Sequence, residues 1–356
     1  MHFLIIGQGL AGTLIGYRLE RTGHTVHYVD APEQTAASEV AAGIVNPITG
    51  RRFVKSWRMD ELLPELKSLY GELEATLGVK LWHPMPLIRT LYNRGDVNDW
   101  QARSADPGYP EYMEDNPDPG RIPEVTEPVF AYAGVRYAGR VDVGLLVEAF
   151  RRKLVAEGRF FAGVFDYEGI PGLLSADTSD ERLGLNASYD HVICCEGWRA
   201  RFNPWFNDLP HGGNKGEVLI IRTQAKVLAS MFKHRVFLVP LADETYWIGA
   251  TSENQFTDEY PTPVNGTFLE DRLREIIKVP FEIIAHRAAV RPTVRDRRLF
   301  LGTHPEVTGL HIFNGLGTKG ASLAPIGSHW LADHLLNGSP LPEEVDIRRF
   351  YQRSSR

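Results

Sequence analysis

The chain has 356 residues, enough for two cores of ordinary size. Its 39 Lys and Arg against 45 Asp and Glu leave a net charge of −6, which argues against nucleic acid or an anionic membrane surface as the main partner. A hydrophobic share of 43% suits a soluble globular protein, and no apolar run is long enough to span a bilayer, so a cytoplasmic protein with no membrane partner is expected.

Phe3-Leu4-Ile5-Ile6 reads as an opening strand, too short and too poorly flanked by basic residues to be a secretory leader. Gly7, Gly9 and Gly12 follow it in G-x-G-x-x-G spacing. Gly7 permits a tight strand-to-helix turn, Gly9 lets backbone N–H groups approach phosphate, and Gly12 lets the helix lie close on the strand. Leu10, Ala11, Leu14, Ile15 and Leu19 recur at helical spacing, Gly23 stops the helix, and 25–29 reads as a second strand. Asp30 ends that strand, where its carboxylate accepts hydrogen bonds from ribose hydroxyls. Strand, helix, strand and acid in this order predict a bound adenosine pyrophosphate. The pattern does not separate NAD from FAD, although Asp30 repels the 2′-phosphate of NADP.

A helix is expected over 60–77, carrying Leu62, Leu63, Leu66, Leu69, Tyr70 and Leu73, and a strand over 87–92. Segment 104–123 holds Pro107, Pro110, Pro117, Pro119 and Pro123 among acidic residues and no period, which reads as a surface loop or a lid. Asp142 caps a helix with the apolar face Leu145, Leu146, Ala149, Phe150 and Leu154. A strand near 160–165, a hairpin region and a buried run at 191–195 follow. That run contains both cysteines, Cys194 and Cys195, which as strand neighbours face opposite ways and read as free thiols of a reducing compartment. Segments 218–222, 236–241 and 246–251 look like antiparallel strands, 265–278 like a polar helix and 283–290 like a further strand. A last helix is expected over 321–336, stopped by Asn337-Gly338. No histidine has metal-ligand spacing, and no metal site is expected.

Several segments in chain order resemble the D-amino-acid oxidase family of FAD-dependent oxidoreductases, the group with glycine and sarcosine oxidases. Ser38 to Pro47 resembles its S-x-x-A-A-G-x-x-x-P segment, and Gly139-Arg140-Val141-Asp142 its turn into a helix. Cys195-Glu196-Gly197 with Trp198 resembles its A-x-G-x-W, and Lys215-Gly216-Glu217 stands where R-G-Q is common. Arg291-Pro292 with Asp296 and Gly302 resembles R-P-x-x-x-D-x-x-P-x-x-G, with Leu299 or Phe300 in place of the proline. Asn314 to Gly320 resembles the glycine-rich turn before the last helix. Its Gly317-Thr318-Lys319-Gly320 is similar to the G-S-R-G in the FAD domain of the bifunctional enzyme that completes methylaminomethyl-thiouridine in tRNA.

The resemblance implies FAD and an α/β fold. A discontinuous Rossmann-like FAD-binding domain is expected from 1–78, 137–215 and 288–356. A second, α+β domain on a mostly antiparallel sheet, from 79–136 and 216–287, is expected to bind substrate. The implied cofactor residues are Gly7, Gly9, Leu10, Ala11, Gly12, Asp30, Ser38, Ala42, Gly43, Ile44, Gly197, Gly315, Gly317, Thr318, Lys319 and Gly320. The implied chemistry is hydride transfer to flavin from the carbon beside an amine nitrogen, giving an imine. The partners would be a small-molecule amine or amino acid and an acceptor, oxygen or another, with oligomeric state left open. Arg291 is the expected carboxylate clamp, unless it pairs with Asp296. Lys319 would add charge beside the flavin or sit as a solvated cap, and Tyr246 with Trp247 would line the substrate cavity or pack in the core. Arg51, Arg52 and Lys55 form a basic cluster that reads as a solvated turn or a receiver of acidic substrate, and His286 reads as structural. Two other functions fit the same residues: a flavoenzyme of tRNA wobble-uridine modification, and a flavin-binding protein without turnover.

Overall fold

The computed structural model describes residues 1–31, 33–175, 188–224 and 228–351. A six-stranded sheet carries the opening turn, in the order Phe160–Ala162, Thr25–Asp30, His2–Ile6, His191–Cys194, Leu310–Asn314, Phe300–Thr303. The first five strands are parallel and the edge strand is antiparallel. Both faces are covered, as parallel strands require. Phe3 and Ile5 face the core under helices Leu10–Arg21 and Gly320–Asn337, while Leu4 and Ile6 face a second core with Phe206 and Ile347. This is the α/β nucleotide-binding half expected from the sequence.

The second layer is an eight-stranded sheet ordered Phe281–Val294, His211–Thr223, Thr245–Gly249, Phe237–Pro240, Met231–Lys233, Leu87–Leu91, Ala131–Val135, Met113–Asp115. Every pairing is antiparallel except that of Met231–Lys233 with Leu87–Leu91. Alternation sorts its side chains. Val218, Val239 and Trp247 join the core shared with the nucleotide-binding half, and Leu219, Ile221, Tyr246 and Ile248 pack with Leu269 and Leu273 of helix Pro263–Arg274.

Two local expectations need correction, and one helix was not anticipated. Segment 104–123 is not wholly irregular, because Met113–Asp115 forms the sheet's edge strand, too short to show a period. Arg94–Ser104 is a helix that lacks an amphipathic stripe, buries only Trp100 and starts on the Asn93 side chain. The expected hairpin after residue 165 begins instead as a 3₁₀ turn and the helix Ile170–Leu174, and its remainder, 176–187, lies outside the described residues. The helix after Asp142 forms as expected, with the carboxylate accepting from Leu145 N at 3.1 Å.

Between strands His191–Cys194 and Leu310–Asn314 of the first sheet, His311 is buried with Nε2 3.0 Å from His191 Nδ1 and Nδ1 3.0 Å from Thr303 Oγ1. Burial, with His191 next to it, pushes its pKa down to about 3. The unfolded chain therefore takes up this proton first, and stability is lost as pH falls from about 6.5 towards 3. Thermal melts from pH 7 to pH 4 should show that decline, with a shallower slope in His311→Gln. Equal slopes would show that His311 does not carry the decline.

Candidate active site

The opening turn is built so that protein atoms touch where side chains are missing. Gly7 has φ +94°, and a Cβ there would stand 2.6 Å from Cys195 O. At Gly12 a Cβ would stand 2.0 Å from Gly7 O, so the helix can lie against the turn only as glycine. Gly9 differs, since its missing Cβ meets only Ser38 Oγ, at 3.2 Å. Helix Leu10–Arg21 starts at Gly9 with no side-chain cap and no acid in its first turn. Its leading amides and positive dipole end are left for an anion.

A cavity of about 580 Å³ opens over this turn. Asp30, Arg151 and Val164 line one part, Gly7, Gly9, Leu10, Ala11, Ser38 and Gly197 another. Ala42, Gly43, Ile44, Gly317, Thr318 and Gly320 line a third, with Arg291, Val218, Phe237 and Trp247 contributed by the eight-stranded sheet. The indole N–H of Trp198, also on the wall, is buried without a partner among the described residues. An uncapped helix start, glycine-shaped walls and an orphaned donor fit a long anionic dinucleotide such as FAD. Gly12 and Gly315 stand behind the wall: Gly315 has φ +79°, and a Cβ there would meet Val294 Cγ2 at 2.6 Å.

Two wall residues went unforeseen. Arg151 Nη2 lies 2.7 Å from Asp30 Oδ2, and its Nε donates to Gln8 Oε1 at 2.7 Å. Burial pushes the Asp30 carboxyl up while Arg151 opposes the shift. The only trace in the sequence is that Arg151 continues the Val143–Val147 stripe of its helix. Glu196, between Cys195 and Gly197 of the segment that resembles A-x-G-x-W, accepts from the Tyr167 hydroxyl and from Asn203 Nδ2. Burial raises the pKa of its carboxyl, while the hydrogen bonds from Tyr167 and Asn203 oppose the shift.

The sheet end of the cavity carries an uncompensated cation. Arg291 Nη1 donates to Asn214 Oδ1 at 2.6 Å and to Thr251 O at 3.2 Å. Among the described residues no carboxylate reaches it, and Asp296 instead pairs with Arg349 at 2.9 Å. Burial lowers the Arg291 pKa. Asn214 is itself held, its Nδ2 donating to Ser252 Oγ and Asn254 Oδ1, each at 2.9 Å. Gly216 makes the room: a Cβ there would stand 1.9 Å from Arg291 Nη2. Gly216→Ala should therefore leave the melting temperature nearly unchanged, because a flexible side-chain end can shift. It should raise KM on the order of 10–100-fold by displacing the guanidinium. An unaltered KM would detach Arg291 from the reaction.

Tyr246 is a correction. Alternation puts it on the far face of the sheet, where its hydroxyl accepts from Leu228 N at 2.9 Å, while Trp247 faces the cavity and donates to Val40 O at 2.9 Å. Lys319 is not on the cavity wall either. It donates to Ser56 Oγ at 3.2 Å, and burial followed by the charges of Arg297 and Arg298 lowers its pKa. Helix Gly320–Asn337 begins with no side-chain cap and no acid in its first turn, and Gly320 and Ala321 line the cavity. Pro325 sits in the second turn. Lacking an N–H, it frees Ala321 O to accept the Tyr70 hydroxyl at 2.8 Å. His286 lies 2.8 Å from the fully buried Glu217, which also accepts from Thr262 N and Asn265 Nδ2, so it ties helix Pro263–Arg274 to the sheet. Lys55 is neutralised by Asp60 at 2.7 Å.

A two-layer molecule with a dinucleotide cradle beneath one layer and a free guanidinium on the other defines a class of flavoprotein. The chain belongs to the family described as FAD dependent oxidoreductase, which matches residues 2–334. It is 26% identical to the bifunctional protein ThiO/ThiG of Trichormus variabilis over 99% of its own length and 55% of that protein's, so it spans about half of that relative. It is 24% identical to a glycine oxidase of Geobacillus kaustophilus, over 92% of this chain and 91% of that one. The crystal structure of glycine oxidase from Geobacillus kaustophilus superposes with a TM-score of 0.79 at 22% identity, covering 98% of this chain and 97% of that chain. The cofactor is FAD, and the choice over NAD left open by the opening motif is resolved. Among the described residues no helix is long and apolar enough to cross a membrane.

Proposed function

We propose that this FAD-dependent oxidoreductase oxidises the C–N bond of a small amine or amino acid that carries a carboxylate. The observation behind this reading is Arg291, a half-buried guanidinium on the cavity wall with no carboxylate partner among the described residues. Leaving such a charge unpaired is costly, and a bidentate substrate carboxylate would relieve it. FAD, when bound, supplies the electron sink that turns the amine into an imine, with oxygen or another acceptor completing the cycle. Asn214 positions the guanidinium, Gly216 gives it room, and Trp247 and Phe237 provide an apolar wall that excludes water. The Leu10–Arg21 helix start and Ser38 would hold the pyrophosphate. Asp30 would hold the ribose, and the Gly320–Asn337 helix start would bring its dipole to the flavin ring.

The same reading divides the chain into the two discontinuous domains expected above, with Arg291 reaching the cavity from the long strand Phe281–Val294 shared by both. Two free thiols, Cys194 and Cys195, support a cytoplasmic setting. Small carboxylates without an amine, such as acetate and glycolate, should give saturable shifts in the flavin spectrum of the holoprotein and compete with the amine. Absence of any saturable shift would contradict the clamp.

A further inference from the structure

On the cavity-facing side of the eight-stranded sheet, past Phe237 of the cavity wall, stand two unneutralised cations, Lys233 and Arg89, which are not themselves part of that wall. Register sets one row of residues on one face: Val218 beside Gly249, Gly249 beside Phe237, Phe237 beside Lys233, and Lys233 beside Arg89. Val218 and Phe237 line the cavity, and Gly249 adds no side chain between them. Lys233 turns its ammonium back over Phe237, 4.6 Å from the ring centroid, with one bond to Arg235 O at 2.7 Å. Arg89 lies over Phe53, 4.5 Å from that centroid, and its Nε–H is buried with no partner.

Neither cation has a carboxylate within ion-pair distance among the described residues. Asp96, the nearest acid acting on Arg89, is occupied by Tyr92 N at 2.8 Å. Burial lowers both, Lys233 to about 8 and Arg89 to about 10, each without a compensating pair. Two like charges on adjacent strands with an orphaned donor are an expensive arrangement unless an anion joins them.

We propose that Lys233 and Arg89 form a second anion subsite, which receives a distal carboxylate of a substrate whose amine-bearing end is held at Arg291. Three strand spacings, about 14 Å, separate Val218 on the cavity wall from Lys233, so the favoured ligand is an elongated diacid rather than a single small amino acid. The inference rests on the Arg291 reading for the near end only.

The test uses the FAD-loaded full chain, with flavin difference spectra as the binding readout. The probes are linear α,ω-dicarboxylates from succinate to dodecanedioate, each compared with the monocarboxylate of equal length. The expected result is an optimum at an intermediate length, where the diacid binds at least about tenfold more tightly than its monoacid. That ratio should fall to about one in Lys233→Gln and in Arg89→Gln. Equal binding of diacids and monoacids at every length in the wild type overturns the subsite, and so does a ratio unchanged in both variants. If monoacids give no shift while diacid binding still responds to Lys233→Gln, the subsite stands and the Arg291 clamp falls.

Discussion

Arg291→Gln is expected to lower kcat/KM for carboxylate-bearing amines by about 10²–10⁴-fold while leaving the protein yellow and folded. The loss follows from what the guanidinium does in this structure. It has no acidic partner among the described residues, and only Asn214 Oδ1 and Thr251 O hold it. Removing it frees no buried carboxylate, so stability should scarcely change. Most of the loss should appear in KM, since the clamp is expected to grip the carboxylate before and during the reaction alike. Amines that lack a carboxylate should be affected far less. Steady-state kinetics on one substrate of each kind, with flavin content measured alongside, checks this. Equal losses on both kinds, or loss of flavin, would return Arg291 to a structural role.

Gly9→Val should give a folded but colourless protein. The backbone at Gly9, φ −82° and ψ −158°, is open to any residue, and the new side chain meets only Ser38 Oγ before entering the cavity. Its methyl groups would occupy space at the leading amides of helix Leu10–Arg21, where the pyrophosphate is expected. The combined loss of fit and charge-assisted hydrogen bonds should weaken FAD binding about 10²–10⁴-fold. The variant should also lose the thermal stabilisation that excess FAD gives the wild type. Gly7→Ala is expected to behave differently, because φ +94° and the approach to Cys195 O strain the fold itself. Absorbance after FAD reconstitution and melting curves with and without FAD distinguish the two.

The opening turn was legible because its demands are local: a strand, three glycines, a helical stripe and an acid within the first 30 residues. The paired sheets were legible in outline because strands carry apolar and β-branched runs, as 218–222 does within His211–Thr223, whose first half was not read as strand. Short edge strands such as Met113–Asp115 and the polar helix Arg94–Ser104 were not, since three residues show no period and that helix buries only Trp100. At the site, Arg291 could be named from its motif, but its partner could not. Whether Asp296 or Arg349 pairs with which group depends on where the chain returns, more than 50 positions later. The same holds for Arg151 meeting Asp30 and for Lys233 meeting Arg89. Tyr246 and Trp247 are sequence neighbours with opposite fates, and only the register of the sheet decides which one faces the cavity.

The most direct measurement is an anaerobic titration of the yellow holoprotein with a panel of amino acids and secondary amines, read as bleaching of the flavin absorption. Carboxylate-bearing amines should bleach the flavin in the wild type, and bleaching by the best of them should be strongly slowed in Arg291→Gln. A flavin that stays oxidised with every amine and amino acid tried, in a protein shown to contain FAD, would contradict the proposed reaction.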